Sequence, residues 1–101
     1  MQKILTENID KIKNLCDQYQ VKSLFAFGSV CTDSFDENSD IDLLISFKSM
    51  DYGDYADHYF DFAFELEKLL NRPVDLVTDK SLSNPYFIKS LNKTKTLIHA
   101  G

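Results

Sequence analysis

Hydrophobic residues follow two different spacings along the chain, and the changes of spacing divide it into helices and strands. Apolar residues recur every three or four positions in three segments, which predicts helices over about residues 3–19, 55–71 and 86–92. Shorter and denser apolar runs predict strands over residues 21–27, 40–47, 74–77 and 95–99. This order of elements predicts an α/β (α+β) fold, with a small mixed sheet of about four strands flanked by helices.

Capping residues mark the ends of two predicted helices. Asp54 precedes the long aromatic helix and is a predicted N-cap, because its short carboxylate can accept a hydrogen bond from the first free N–H groups. Asn84 followed by Pro85 is the corresponding signal for the last helix. Pro73 disfavours a helical residue before it, so the long helix is expected to end near Asn71.

Length, charge and cysteine content narrow the class of protein. The 101 residues predict one domain, residues 1–101. The formal net charge of −5 argues against general nucleic-acid binding, which needs a cationic surface. The sequence shows neither an apolar segment long enough to cross a bilayer nor the pattern of a signal peptide. Cys16 and Cys31 lack the spacing of metal ligands or of a disulfide, so we expect reduced thiols in a cytoplasmic protein.

The residues with the most chemical content lie between the first two predicted strands. The first strand stops at Gly28-Ser29, where a glycine allows a sharp turn. A short helix or turn is expected from Ser29 to about Phe35, and a helix there would offer free N–H groups to a phosphate. Asp40 and Asp42 open the next strand and project from one of its faces. Two carboxylates this close favour a shared cation, and hard oxygen ligands favour Mg²⁺.

Asp75 is the third candidate carboxylate. It lies between Val74 and Leu76 in an apolar strand, where a lone carboxylate is costly unless it is paired or binds a metal. If this strand neighbours the second one, Asp75 reaches the same site and could take a proton from an acceptor. A solvent-facing strand residue is the alternative interpretation.

Taken together, these motifs resemble a known family. Gly28-Ser29, ten intervening residues, Asp40-Ile41-Asp42 and a later strand with Asp75 resemble the DNA polymerase β-type nucleotidyltransferase superfamily. The short chain resembles the small branch of this superfamily, the minimal nucleotidyltransferase (MNT) family. The resemblance implies transfer of a nucleoside monophosphate, AMP from ATP, with release of pyrophosphate.

The resemblance also assigns roles and partners. It implies that Gly28 and Ser29 bind the nucleoside triphosphate, and that two Mg²⁺ ions are bound by the catalytic residues Asp40, Asp42 and Asp75. Asp75 would also help to deprotonate the acceptor. Because many MNT proteins are antitoxins paired with a HEPN-domain ribonuclease, the resemblance implies a HEPN-type toxin as partner and one of its hydroxyl groups as acceptor.

One departure from the family pattern leaves alternatives open. Many relatives carry Ala-Arg-Gly soon after Gly-Ser, whereas this chain has Cys31-Thr32-Asp33. The loop therefore supplies no arginine for phosphate, and Lys80, Lys89, Lys93 or a partner's residue would have to replace it. An antitoxin that neutralises its partner by binding alone, with a weak or inactive site, is the main alternative. An antibiotic-modifying nucleotidyltransferase is a further one. Arg72 is interpreted as a solvated charge at a helix end.

Overall fold

The computed structural model describes residues 2–101, and the predicted alternation of helices and strands is confirmed. The helices are α1 (Lys3–Thr6), α2 (Ile9–Gln18), α3 (Tyr52–Leu70) and α4 (Pro85–Thr94). The strands are β1 (Val21–Phe27), β2 (Ile41–Phe47), β3 (Val74–Thr78) and β4 (Thr96–Ala100). Single 3₁₀ turns follow β1 and β3, at Gly28–Cys31 and Asp79–Ser81.

The strands form one mixed sheet in the order β3-β2-β1-β4. β1 is antiparallel to both β2 and β4, whereas β2 and β3 are parallel. A parallel pair needs a crossover between its strands, and α3 provides it. The end of β1 therefore lies beside the beginnings of β2 and β3, and the mixed four-stranded sheet predicted from the sequence is confirmed.

The main core lies on one face of the sheet, under α2 and α3. β2 supplies Ile41, Leu43 and Ile45 to this face, and all three are at most 1% exposed. Phe62 and Leu66 of α3 are fully buried against them. Burying large apolar side chains is the dominant favourable term in folding, so this face provides most of the stability.

A smaller cluster lies on the opposite face, under α4. Phe27, Leu44 and Leu91 are its buried members, with exposed fractions of 6%, 8% and 3%. The ring of Phe87 meets the ring of Phe27 edge to face, with centroids 5.8 Å apart. Asp42 shares this face, because successive strand residues point to opposite sides.

The outer edge of β3 is capped by side chains of α3. The Tyr59 hydroxyl donates to the Leu76 carbonyl at 2.7 Å. The Val74 N–H group donates to Glu67 Oε2 at 3.3 Å. Unpaired edge strands invite pairing with another chain, and these two contacts satisfy backbone groups that would otherwise be free.

Several predicted boundaries were wrong. The single helix over 3–19 is broken into α1 and α2 at Asn8, whose backbone leaves the helical region and whose side chain donates to the Ile4 carbonyl at 2.8 Å. α3 begins three positions earlier than predicted, with Asp51 rather than Asp54 before its first turn. The short helix or turn expected from Ser29 to about Phe35 is a 3₁₀ turn, and it ends earlier than expected, at Cys31.

The predicted N-cap of the last helix was confirmed. Asn84 caps α4, because its side-chain oxygen accepts from the N–H groups of Tyr86 at 2.9 Å and Phe87 at 3.4 Å. Both cysteines are free, and burial raises the pKa of the Cys16 thiol to about 12. Within residues 2–101, the structure holds no helix long and apolar enough to cross a membrane.

Candidate active site

Gly28 brings the backbone into contact with a carboxylate. Its φ of +73° lies in the left-handed region, which favours glycine. A Cβ atom at this position would lie 2.7 Å from Oδ2 of Asp42. A Cβ atom here would push the Asp42 carboxylate oxygen aside, while the positive φ is the feature that requires glycine.

Strand register brings two of the three predicted carboxylates together. Phe27 pairs with Asp42 across the antiparallel pair, and Asp42 pairs with Asp75 across the parallel pair. Neighbouring strands lie about 4.8 Å apart and paired residues point to the same face. Asp42 is therefore flanked by the end of β1 on one side and by Asp75 on the other. Asp40, which immediately precedes β2, is exposed beside them.

The electrostatics of Asp42 indicate crowded negative charge. Burial raises the pKa of Asp42, and the charges of Asp75 and then Asp40 raise it further. Within residues 2–101, the contacts between basic and acidic side chains are Lys68 with Glu65 and the His99 ring with Asp17, and they involve none of these three carboxylates. A cation beside Asp42 would relieve this repulsion.

The chemistry of these side chains suits a magnesium ion, although the side chains are not arranged around a common point. No group of three or more His, Cys, Asp or Glu side chains in residues 2–101 is close enough to hold a metal ion as it stands. The donors are nevertheless hard carboxylate oxygens, which Mg²⁺ prefers. The backbone places Asp42 beside Asp75, but Asp75 and Asp40 are both exposed, and the three side chains would have to come closer to share an ion.

The turn after β1 places Ser29 next to this carboxylate group. The Ser29 carbonyl accepts from the Thr32 N–H at 2.9 Å and from the Thr32 hydroxyl at 3.0 Å. The turn is closed by backbone and by Thr32, so the Ser29 side chain is not needed to hold it. Ser29 lies half-buried beside Gly28, on the same end of the sheet as Asp42.

Two contacts made by residues 28–40, here called the site loop, were not predicted from the sequence. Thr94 Oγ1 accepts from the Gly28 N–H at 2.9 Å. Arg72 donates to the Ser39 carbonyl at 2.9 Å, and its guanidinium lies 4.3 Å from the centre of the Phe35 ring. The prediction that Arg72 is a solvated charge was therefore wrong. Both contacts join distant parts of the chain, and neither has a local sequence signal.

The three lysines that were candidates for binding phosphate lie in two different regions of the structure. Lys80 follows β3 at the end opposite to Asp75, near Asp79 and Ser46. Five residues of extended chain span about 16 Å, so Lys80 is not a suitable candidate. Lys89 and Lys93 lie on α4, which covers the face that carries Asp42.

Comparison with known proteins agrees with this arrangement. The sequence model of the nucleotidyltransferase domain family matches residues 9–98. The chain belongs to the nucleotidyltransferase family. The match spans all five residues predicted for the site, which are Gly28, Ser29, Asp40, Asp42 and Asp75.

Individual relatives narrow the branch of the nucleotidyltransferase family. The chain is 41% identical over 81 residues to the Methanocaldococcus jannaschii protein named "Putative protein adenylyltransferase MJ1379", covering 80% of each chain. A solved "putative minimal nucleotidyltransferase" superposes with a TM-score of 0.75 at 25% identity, covering 91% of this chain and 90% of that one. The protein is thus an enzyme of the nucleotidyltransferase type, similar to adenylyltransferases, and the predicted family resemblance is confirmed.

The fold also occurs in a toxin–antitoxin complex. A chain in the solved complex of tri-AMPylated Shewanella oneidensis HEPN toxin with MNT antitoxin superposes with a TM-score of 0.64. Its sequence is 19% identical to this chain, and the superposition covers 95% of this chain and 72% of that one. At this level of identity, the similarity concerns the fold. Nucleotidyltransferases in general use divalent metal ions, in keeping with the oxygen donors around Asp42.

Proposed function

We propose that this protein is a single-domain adenylyltransferase that uses ATP and Mg²⁺ to modify a hydroxyl group on a HEPN-type toxin and so neutralises it. The observation that carries the proposal is the meeting of Gly28, Asp42 and Asp75 where β1 ends and where β2 and β3 begin. The names of the relatives support AMP as the transferred group and protein as the acceptor. The Shewanella complex supports a HEPN toxin as the partner.

Each residue has a defined role in the proposed reaction. Ser29 binds the triphosphate, Gly28 allows the turn that places Ser29 there, and Asp40, Asp42 and Asp75 would hold two Mg²⁺ ions. When bound, Mg²⁺ supplies the positive charge that offsets charge on the phosphate oxygens. The acceptor oxygen forms a bond to the α-phosphorus as the bond to the pyrophosphate oxygen breaks. The Asp75 carboxylate takes the proton of the acceptor hydroxyl.

A substitution at Asp42 tests the proposal. Asp42→Asn keeps the shape of the side chain and removes its charge, so we expect transfer of labelled AMP from ATP to a purified HEPN-domain toxin to fall by at least about 100-fold. ATP with Mg²⁺ should also raise the thermal midpoint of the natural protein. At about 100 times its dissociation constant, a ligand adds about 2.7 kcal/mol, which is roughly 10–20 °C for a domain of this size.

Asp57→Asn is the matched control, because Asp57 is an exposed aspartate on α3, away from β2. It should keep both transfer and the Mg²⁺-dependent thermal shift. Transfer at the natural rate by Asp42→Asn would show that the three aspartates Asp40, Asp42 and Asp75 are not the catalytic centre. Absence of any ATP effect on the natural protein would also argue against the proposal.

A second candidate function follows from the loop after Ser29. Cys31-Thr32-Asp33 supplies no arginine, and Arg72, the one arginine of the chain, binds Ser39 and Phe35 instead. A protein that neutralises the toxin by binding alone would have no need of a phosphate-binding arginine. The Asp40→Asn, Asp42→Asn double variant separates the two functions. It should lose neutralisation if AMP transfer is required, and keep it if binding is sufficient.

A further inference from the structure

Thr94, the last residue of α4, holds the start of the site loop. Its Oγ1 accepts the hydrogen bond from Gly28 N–H at 2.9 Å, across 66 positions of sequence. Gly28 has one backbone donor, and this contact commits it to α4. The Gly28 N–H group is consequently not free to bind a phosphate oxygen.

The acceptor at Thr94 is held in place by the packing of α4. Leu91, one turn earlier, is 3% exposed and packs in the cluster with Phe27. Two turns earlier, the Phe87 ring contacts the Phe27 ring. α4 thus packs against Phe27, the residue immediately before Gly28, and its last residue, Thr94, binds Gly28 itself.

The spacing at Gly28 is tight enough for this hydrogen bond to matter. The position that a Cβ would occupy on Gly28 is 2.7 Å from Asp42 Oδ2, so backbone and carboxylate are already close. Ser29 follows Gly28 directly. A shift of the Gly28 backbone would therefore move Ser29 relative to the carboxylates on the neighbouring strands.

We propose that Thr94 is a positioning residue that sets the distance between Ser29 and the carboxylates of Asp42 and Asp75. The inference rests on the proposed function, since it assigns Ser29 rather than the Gly28 N–H as the triphosphate donor of this turn. Thr94 acts through Gly28 and does not contact the nucleotide. The hydroxyl is the group that matters, and its methyl group is dispensable.

Two substitutions at Thr94 separate the hydroxyl from side-chain shape. Thr94→Val keeps the branched shape and removes the acceptor, which leaves the Gly28 N–H without its partner. We expect the KM for ATP to rise about tenfold with kcat changed less than about threefold, because the loop positions the triphosphate before reaction. Thr94→Ser retains the hydroxyl and should stay within about threefold of the natural protein in both constants.

Amide hydrogen exchange gives a readout without nucleotide or metal. The Gly28 amide should exchange at least about tenfold faster in Thr94→Val than in Thr94→Ser, since its hydrogen bond is lost only in the first. Thr96→Val is the matched control. It removes a hydroxyl that donates to the Thr94 carbonyl at 3.0 Å without touching Gly28.

The outcomes that overturn the proposal are distinct. A lower thermal midpoint and lower kcat in Thr94→Val, with unchanged KM, would show a purely structural role. An equal loss in Thr96→Val would show that any loosening of the end of α4 is sufficient. If the natural protein binds and transfers nucleotide and Thr94→Val matches it, only the role of Thr94 is wrong. If the natural protein shows neither binding nor transfer, the proposed function is wrong and the role of Thr94 is wrong with it.

Discussion

The two faces of the sheet differ in content, although the same strands build both. In β2, Ile41, Leu43 and Ile45 face α2 and α3 and are almost completely buried. Asp42 and Leu44, between them, face the side of α4, where the apolar cluster has only three buried members. Alternation along one strand thus separates the stabilising core from the carboxylates by a single residue.

From this separation we expect that stability and chemistry can be altered largely independently in this protein. A substitution on the core face should change the free energy of unfolding and leave the folded site intact. A substitution on the face of Asp42 should reduce transfer more than it reduces the free energy of unfolding. Three predictions test this comparison, in addition to the tests at Asp42 and Thr94.

The largest effect is expected at Gly28. Gly28→Ala would place a Cβ against Asp42 Oδ2 and put alanine at a φ of +73°. We expect AMP transfer to fall by at least about 100-fold, while the strained backbone costs about 1–2 kcal/mol of stability. Transfer kinetics and thermal denaturation measure the two effects.

Gly53→Ala is the control for this glycine. No atom lies within 4 Å of a Cβ at Gly53, which is in the first turn of α3. Alanine there should keep transfer and leave stability unchanged or higher by up to about 1 kcal/mol. Normal transfer by Gly28→Ala would remove the argument that the backbone must touch Asp42.

Neighbouring residues of β2 give the next largest effect. Ile45→Ala removes a fully buried side chain from the main core and should cost about 2–5 kcal/mol of unfolding free energy, with transfer by the folded protein preserved. Leu44→Ala, on the face of Asp42, should cost less and reduce transfer more.

Denaturant unfolding measures the stability of each variant. Transfer kinetics are measured at a temperature at which each variant is folded. Ile45→Val, expected to cost about 0.5–1.5 kcal/mol, provides a milder change if the alanine variant is too unstable. Equal effects of the Ile45 and Leu44 variants on both stability and transfer would contradict the division between the faces.

The smallest effect is a dependence of stability on pH. Because burial and the charges of Asp75 and Asp40 raise the pKa of Asp42, the folded protein binds a proton at this site more tightly than the unfolded chain. Stability should therefore fall as pH rises from the unfolded pKa through the folded pKa of Asp42. This cost is fully present above the folded pKa of Asp42 and absent below the unfolded value.

Asp42→Asn removes this titration. The variant should be slightly more stable than the natural protein at pH 7, and the difference should disappear in acid below the unfolded pKa. Thermal midpoints measured without metal ions at both pH values check this. A variant that is less stable than the natural protein at pH 7 would contradict the assigned repulsion.

Much of this arrangement could be predicted from spacing along the chain. Alternation of apolar and acidic residues at Asp40–Leu44 predicts which side chains share a face of β2. Asp75 is exposed, so the cost of burial did not apply to it and the alternative of a solvent-facing strand residue was correct, although the parallel register still places it beside Asp42. These features follow from the two-residue repeat of a β-strand, which can be recognised within a short stretch of sequence.

The remaining features depend on tertiary contacts that no local pattern records. The break at Asn8 replaces helical bonding by a side-chain contact, and the contacts of Thr94 and Arg72 join positions 66 and 33 residues apart. Hydrogen bonds of this kind depend on how α4 and the segment between α3 and β3 pack. Propensity and periodicity do not specify that packing.

The hydrogen bond from Gly28 to Thr94 has a consequence for protein synthesis. The ribosome releases the chain from its N-terminus, so Gly28, Ser29 and all three carboxylates emerge before Thr94. The antiparallel pair β1–β2 is close in sequence and can form early, whereas the contact with α4 closes a loop of 66 positions. A nascent chain therefore carries all the residues proposed for the site before the turn at Gly28 is fixed, and that turn is held in place only when α4 has been translated and has docked.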